Sequence, residues 1–298
     1  PFPFQHNPII MKTIIIPTDF SRAAENAALY GLQLAAGFKA NIILINALQV
    51  PLPVVTPAGI DLPFLISDDA QEEALHQLEV LKDKLKYQVI HRPGLSENAP
   101  EIKLAAGYGP AYAFITSRFN KERADLVVMG LSGAGGLRRF FTGSTSRDLV
   151  NTAEFPVLLI PKDFHYRKIR HIVFTTDLIV KDIAMVKYLA DIAKQLGAEL
   201  KLAHVVTENS TGALDKIEHF LAAVRSTVSD VAVSYQNIYN RKEENGIDWI
   251  TQHLEMDWLV MVHRSHDFFF SLFNEPFSQR MAKESPVPIL VIPEDFIS

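Results

Sequence analysis

The chain has no cysteine, so it can build neither a disulfide framework nor a thiolate metal site. It has no apolar run of the roughly 18 residues that a bilayer crossing requires. It has no basic excess: 29 Lys and Arg stand against 34 Asp and Glu, a net charge of −5, which argues against a nucleic-acid partner. Pro1 to Ile10 carry neither a basic segment nor an apolar one, so they do not read as a secretory signal. Met11-Lys12 directly precedes the first apolar run, and the native start is expected there, with residues 1–10 an extension. The expectation is a soluble, cytoplasmic protein without a membrane partner. What is present is 298 residues, 48% of them apolar, enough for about two domains with real cores.

The most informative stretch is 125–145. An apolar run, Leu126 to Met129, delivers Gly130; Gly133 follows, and then Gly143-Ser144 opens a helix-like segment. Glycines permit positive φ and close backbone approach, so their N–H groups can converge on an anion. A helix N-terminus adds free donors and a favourable dipole. The stretch reads as a phosphate cradle. It is not a P-loop, because no Gly-Lys-Ser/Thr follows the glycines.

The chain repeats itself. Lys12 to Asp19 aligns with Arg170 to Asp177 at an offset of 158, and Ile42–Ala47 aligns with Leu200–Val205 at the same offset. From Asp125 to Phe164 the offset is 132, so the second copy is 26 residues shorter in its middle. Two domains are expected, 11–164 and 167–298. In copy one, strands are predicted at Thr13–Pro17, Ile42–Ala47, Glu101–Ala106, Leu126–Met129 and Val157–Ile160. The helices between them run from Ser21, an N-cap, to about Ala36 with Gly37 ending it, from Ser67 to Leu85, from Pro110 to Asn120, and from Ser144. Copy two repeats the order. Continuous apolar strands alternating with helices indicate parallel sheets buried on both faces, with ligands beyond the carboxyl ends of the strands at the switch in strand order. Asp19 and Gly130 both end central strands and would line one crevice.

These residues resemble the universal stress protein family, as a tandem two-domain member. Ile16-Pro17-Thr18-Asp19-Phe20-Ser21 closes the first strand, the spacing of Gly130, Gly133, Gly143 and Ser144 is that of the family's ATP-binding members, and a short last strand followed by proline ends both copies. The resemblance covers nearly the whole chain from Met11. It implies two tandem doubly wound parallel five-stranded α/β sheets of order 3-2-1-4-5, like the adenine nucleotide alpha hydrolases. It implies a stress-response role, an adenine nucleotide ligand (ATP, AMP or ADP, with Mg2+ accompanying ATP), intramolecular pairing of the two domains through their last strands, and homodimers as a further option.

For the site, the resemblance points to the strand end at Pro17, to Asp19 on adenine or ribose, to the backbone of Ala47 and Met129 flanking adenine, to Gly130 and Gly133 making room for ribose and phosphate, and to Arg138, Gly143, Ser144 and Thr145 around the phosphates. Each has a plainer alternative. Asp19 can support its turn, Ala47 and Met129 can pack in the core, the glycines can make an ordinary turn, Arg138 and Arg139 can be solvated, and Ser144 can cap a helix. No paired base and nucleophile stand out, so fast ATP hydrolysis is not expected. In copy two, Val262, Ser265, Glu275 and Pro276 replace the glycines and Ser144, which removes the cradle; valine resists positive φ and Glu275 would repel phosphate. Phe268, Phe269, Phe270, Phe273 and Phe277 appear there instead and would plug the crevice, hold an apolar ligand or pack between domains. His263 and His266 are too few for a metal site. The Pro-rich insertion at 49–66 is expected to act as a lid. The competing readings are a nucleotide-binding regulator, a non-binding scaffold formed as a pseudo-dimer, and a slow ATPase.

Overall fold

A computed structural model of the chain describes residues 9–49, 54–56, 59–61, 68–91, 99–131, 154–206, 213–240, 243–264 and 287–297. Twelve strands are described: β1 Thr13–Pro17, β2 Asn41–Leu48, β3 Val54–Thr56, β4 Gly59–Asp61, β5 Ile102–Tyr108, β6 Leu126–Leu131, β7 Val157–Pro161, β8 His171–Thr175, β9 Glu199–Val206, β10 Val233–Tyr239, β11 Trp258–His263 and β12 Ile289–Pro293. The described helices are α1 Arg22–Phe38, α2 Asp68–His91, α3 Ala111–Glu122, α4 Val180–Leu196, α5 Ala213–Thr227 and α6 Glu243–His253. A short 3-10 turn, Glu294–Ile297, follows β12.

Ten strands form one sheet in the order β10-β9-β8-β11-β12-β7-β6-β1-β2-β5. Each half contributes five parallel strands in the doubly wound order, with its first strand beside its fourth. The halves meet where β12 runs antiparallel to β7, with Ile289 opposite Leu159 and Val291 opposite Val157. Within the Pro-rich insertion, β3 and β4 make a small antiparallel hairpin.

Alternation along each strand builds two cores. Ile14, Ile16, Ile42, Leu44 and Val128 face one side, under α1, α2, α4 and α5. Ile15, Ile43, Ile45, Val127 and Met129 face the other side, with Ile115 and Phe119 of α3 and Ile247 and Ile250 of α6. Strands buried on both faces must be apolar at their centre, which is why three of the five residues of β1 are isoleucine.

The repeat extends to individual hydrogen bonds. Asp125 accepts the N–H groups of Lys12 and Thr13 at 2.7 and 2.9 Å; Asp257 accepts those of Arg170 and His171 at 2.7 and 3.0 Å. Across the joint, buried Trp258 donates its indole N–H to the Tyr30 hydroxyl at 2.7 Å. The chain start also reaches across: Ile9 N–H donates to Asp191 and Met11 N–H to Gln195 on α4, so Ile9, expected in an extension, is built into the fold.

Two expectations need correction. Gly37 lies inside α1, and it is Lys39, at φ 57°, that takes the left-handed capping position and donates back to Ala36 O. Its repeat partner, Gly197 at φ 64°, caps α4 in the same way. Moreover, β6 does not end before Gly130 but runs on through Leu131.

Candidate functional site

The site in the N-terminal half begins where β1 and β6 part. The two strands pair at Ile14–Leu126 and Ile15–Val127, and their carboxyl ends open into the switch-point crevice. The turn leaving β1 is tightly specified. Thr18 N–H donates to Ile45 O, Asn46 donates its carboxamide N–H to Thr18 O at 2.8 Å, and the Thr18 hydroxyl accepts Phe20 N–H at 2.9 Å. Phe20 sits at φ 61°, a left-handed conformation held by these bonds although the residue is not glycine. Ser21 caps α1 by accepting Ala24 N–H, as the sequence predicts. Asp19 is exposed, accepts Ser21 N–H at 3.0 Å and has no cationic partner among the described residues. Its carboxylate is thus both anchored to its own turn and open to solvent.

The neighbouring positions divide. Pro17 and Ala47 are half-buried at the ends of β1 and β2. The Met129 side chain is buried in the core with Ile45 and Ile115. Gly130 is also buried, in β6 beside Ile160. A Cβ there would sit 2.3 Å from the carbonyl oxygen of Ala23, so this glycine is required by the close approach of the first turn of α1. It is not among the described residues with positive φ. Valine therefore does not fail at this position through positive φ: Val262 is an ordinary strand residue of β11, paired with Ile292. Gly133, Arg138, Arg139, Gly143, Ser144 and Thr145 lie outside the described residues, as do Ser265, His266, the five phenylalanines at 268–277, Glu275 and Pro276. Structure therefore brings together Pro17, Asp19, Ala47 and the β6 end among the sequence-derived candidates.

The equivalent turn of the C-terminal half keeps the backbone and changes the charges. Thr176 N–H donates to Ala203 O, the Thr176 hydroxyl accepts Leu178 N–H at 3.0 Å, and Leu178 sits at φ 57°. His204, at the position of Asn46, donates Nδ1–H to Thr176 O at 2.7 Å, and burial lowers its pKa from 6.5. Asp182 on α4 accepts from the Thr176 hydroxyl at 2.6 Å and from Asp177 N–H at 3.1 Å. Burial pushes its carboxyl up to about 6, against the pull of the Thr176 hydroxyl bond and the Ile179 N–H. Arg264, the residue after β11, ion-pairs with Asp177, the counterpart of Asp19, with Asp182, and with Glu294.

Sequence reasoning missed Arg264 and its acids. The signal was available at the same offsets: Ser132, Ala23, Ala24 and Lys162 stand where copy two has Arg264, Lys181, Asp182 and Glu294. His204 proves to be hydrogen-bonded, and no group of three or more His, Asp or Glu suited to a metal occurs among the described residues. No helix among the described residues is long and apolar enough to cross a membrane.

Comparison with known proteins adds the following. Residues 11–161 match the model of the universal stress protein family. A universal stress protein of Methanocaldococcus jannaschii is 30% identical over 154 residues, 51% of this chain and 84% of that protein. One from Thermus aquaticus is 30% identical over 151 residues, 51% of this chain and 99% of its own length. A solved universal stress protein from Archaeoglobus fulgidus superposes with a TM-score of 0.66 at 18% identity, over 96% of this chain and 98% of its own. That likeness extends the fold to both halves.

Proposed function

The chain belongs to the universal stress protein family, and on that premise we propose that its N-terminal half binds an adenine nucleotide in a stress-response or regulatory role. The observation that carries this reading is Asp19: an exposed carboxylate at the mouth of the β1/β6 crevice, without a cation among the described residues. Its twin Asp177 is neutralised from within. A carboxylate only accepts, so it selects the hydroxyl or amino donors of a nucleoside. The glycines at 130, 133 and 143 supply the phosphate end of the site; Gly130 serves it by letting α1 start close against β6, and Gly133, Arg138, Gly143, Ser144 and Thr145 would meet the phosphates. Pro17 and Ala47 flank the base. ATP is the favoured ligand, with Mg2+ carried on its phosphates, and ADP and AMP are the comparators.

Isothermal titration with ATP, ADP and AMP tests this. Asp19→Ala is the clean probe, because Asp19 supports only its own turn. It should weaken binding about tenfold, the loss of one charged hydrogen bond, while leaving the melting temperature nearly unchanged. Gly143→Val should abolish the phosphate contribution, so that ATP binds no better than adenosine. Absence of any heat with all three nucleotides would remove the reading.

A second reading is favoured by the antiparallel register of β7 and β12 and by the Trp258–Tyr30 bond. Segments 11–164 and 167–298 act as two domains paired within one chain, a pseudo-dimer that presents partner-binding surfaces and needs no ligand. Size measurement by light scattering separates this from a homodimer. A chain that partners its own last strands should be monomeric. The two readings are compatible, and the Asp19→Ala titration distinguishes a liganded pseudo-dimer from a bare one.

A further inference from the structure

The carboxyl ends of β8, β11 and β12 are tied together by one side chain. Arg264 directs Nη1 to Asp177 and Nη2 to Asp182, and its Nε lies 3.3 Å from Glu294 Oε1. Asp182 is only 1% exposed and its second set of partners, the Thr176 hydroxyl and Asp177 N–H, holds it in place. On the outside, Lys181 reaches Glu294 at 2.9 Å and Asp295 at 3.3 Å. A carboxylate this buried is tolerated only when paired and hydrogen-bonded, and the planar fork of a guanidinium fits such an arrangement better than an ammonium does. Beside Arg264, among the described residues, the crevice retains about 30 Å3, lined by Thr175, Thr176, Val205 and Met261 among others, which is room for water.

None of this can form in the N-terminal half. The counterparts of Lys181, Asp182, Arg264 and Glu294 are Ala23, Ala24, Ser132 and Lys162; of the charged residues of the cluster, Asp177 and Asp295 keep aspartate counterparts, Asp19 and Asp163. We propose that the crevice of the C-terminal half is a guanidinium site filled by the chain's own Arg264, an internal ligand that closes this half to an outside one. Three carboxylates gathered behind the guanidinium also turn away a phosphate tail, irrespective of the sequence of the loop that follows. The inference stands apart from the nucleotide reading of the N-terminal half, because its test reads the C-terminal cluster through stability.

The experiment is a double-mutant cycle with Arg264→Ser and Asp182→Ala, each substitution introducing the N-terminal half's own residue. Arg264→Ser should lower Tm by roughly 5–10 °C, because it strands the buried carboxylate of Asp182. Asp182→Ala should lower it as well, and the double variant should lose clearly less than the sum. Low-millimolar methylguanidinium should raise the Tm of Arg264→Ser saturably, relative to sodium chloride at equal ionic strength. It should leave the wild type and the double variant unmoved. Additive single effects, or rescue by sodium as good as by methylguanidinium, would overturn the proposal. If Arg264→Ser fails to fold, folding of the double variant still supports it, and failure of the double variant as well overturns it.

Discussion

The turn after β1 and the turn after β8 have the same backbone and opposite electrostatics. Both use a threonine whose N–H donates to a strand carbonyl and whose hydroxyl accepts the N–H of a left-handed residue two positions on, Phe20 in one case and Leu178 in the other. Both present an aspartate next. In the N-terminal half that aspartate faces solvent; in the C-terminal half it is held by Arg264. The hydrogen bonds that make the turn are separable from the charges that give it a use. A duplicated fold can therefore keep its frame and convert one of two crevices into a structural joint.

The largest expected effect probes that frame. Asp257 is buried, accepts two backbone N–H groups and pairs with Arg167 Nε at 2.7 Å. Asp125 accepts the same two backbone donors but is only half-buried. Asp257→Ala should cost about 3–5 kcal/mol, and Asp125→Ala about 1–3 kcal/mol, measured by urea unfolding. Equal losses would show that the frame does not depend on burial and that the two halves are more alike than their surroundings suggest.

The next contrast concerns Gly130 and Val262. Gly130→Ala drives a Cβ into the Ala23 carbonyl and should cost roughly 1–3 kcal/mol or more, since the obstruction is backbone and cannot rotate away. Val262→Ala removes methyl groups from a buried strand position and should cost roughly 1–2 kcal/mol by an ordinary cavity. The same equilibrium unfolding measurement checks both. A neutral Gly130→Ala would mean that α1 can retreat from β6 and that the glycine is kept for another purpose.

How much of this was legible in sequence follows from the range of each signal. Strand and helix positions came from periodicity, which is local, and the two offsets, 158 and 132, aligned the halves without any coordinates. The N-cap at Ser21 was local too. At Gly130 the sequence suggests positive φ, which the structure does not show, and the close approach of α1 to β6 that excludes a Cβ there depends on packing that a glycine spacing does not encode. Lysine has no preference for the left-handed region, so Lys39 carries no local signal, and the nearby Gly37 is the more obvious stop. The Arg264 cluster joins residues from three separate strand ends, 177, 264 and 294, with 182 in the first turn of α4. Only the strand order brings them together.

Lys39 and Gly197 offer a smaller contrast. Both cap a helix with positive φ, and only glycine does so without a Cβ penalty. Lys39→Gly should stabilise the chain by up to about 1 kcal/mol, and Gly197→Lys should destabilise it by about as much, read as opposite shifts in the midpoint of urea unfolding. Two shifts of the same sign would mean that the lysine side chain, not the backbone, decides the cap.

The smallest expected effect is a change of slope with pH. His204 and Asn46 donate to the same carbonyl of equivalent turns, to Thr176 O at 2.7 Å and Thr18 O at 2.8 Å. Burial, and to a lesser degree the charge of Lys216, lowers the His204 pKa, against a raising pull from the Thr176 carbonyl. The folded chain therefore prefers the neutral ring. Above pH 6.5, the unperturbed value, this contribution to stability is complete. As pH falls, the unfolded chain takes up the proton first, and the contribution is lost as pH approaches the lower folded pKa. His204→Asn keeps a donor for Thr176 O, by the example of Asn46, and cannot titrate. Unfolding free energies at pH 7.5 and pH 5.5 should therefore fall more for the wild type than for His204→Asn. Asp182, raised to about 6, drives the opposite trend in both proteins, so the comparison is the difference between the two and not the slope of either. Identical pH responses would mean that the imidazole keeps its water on folding and that His204 is no more than an asparagine in a different shape.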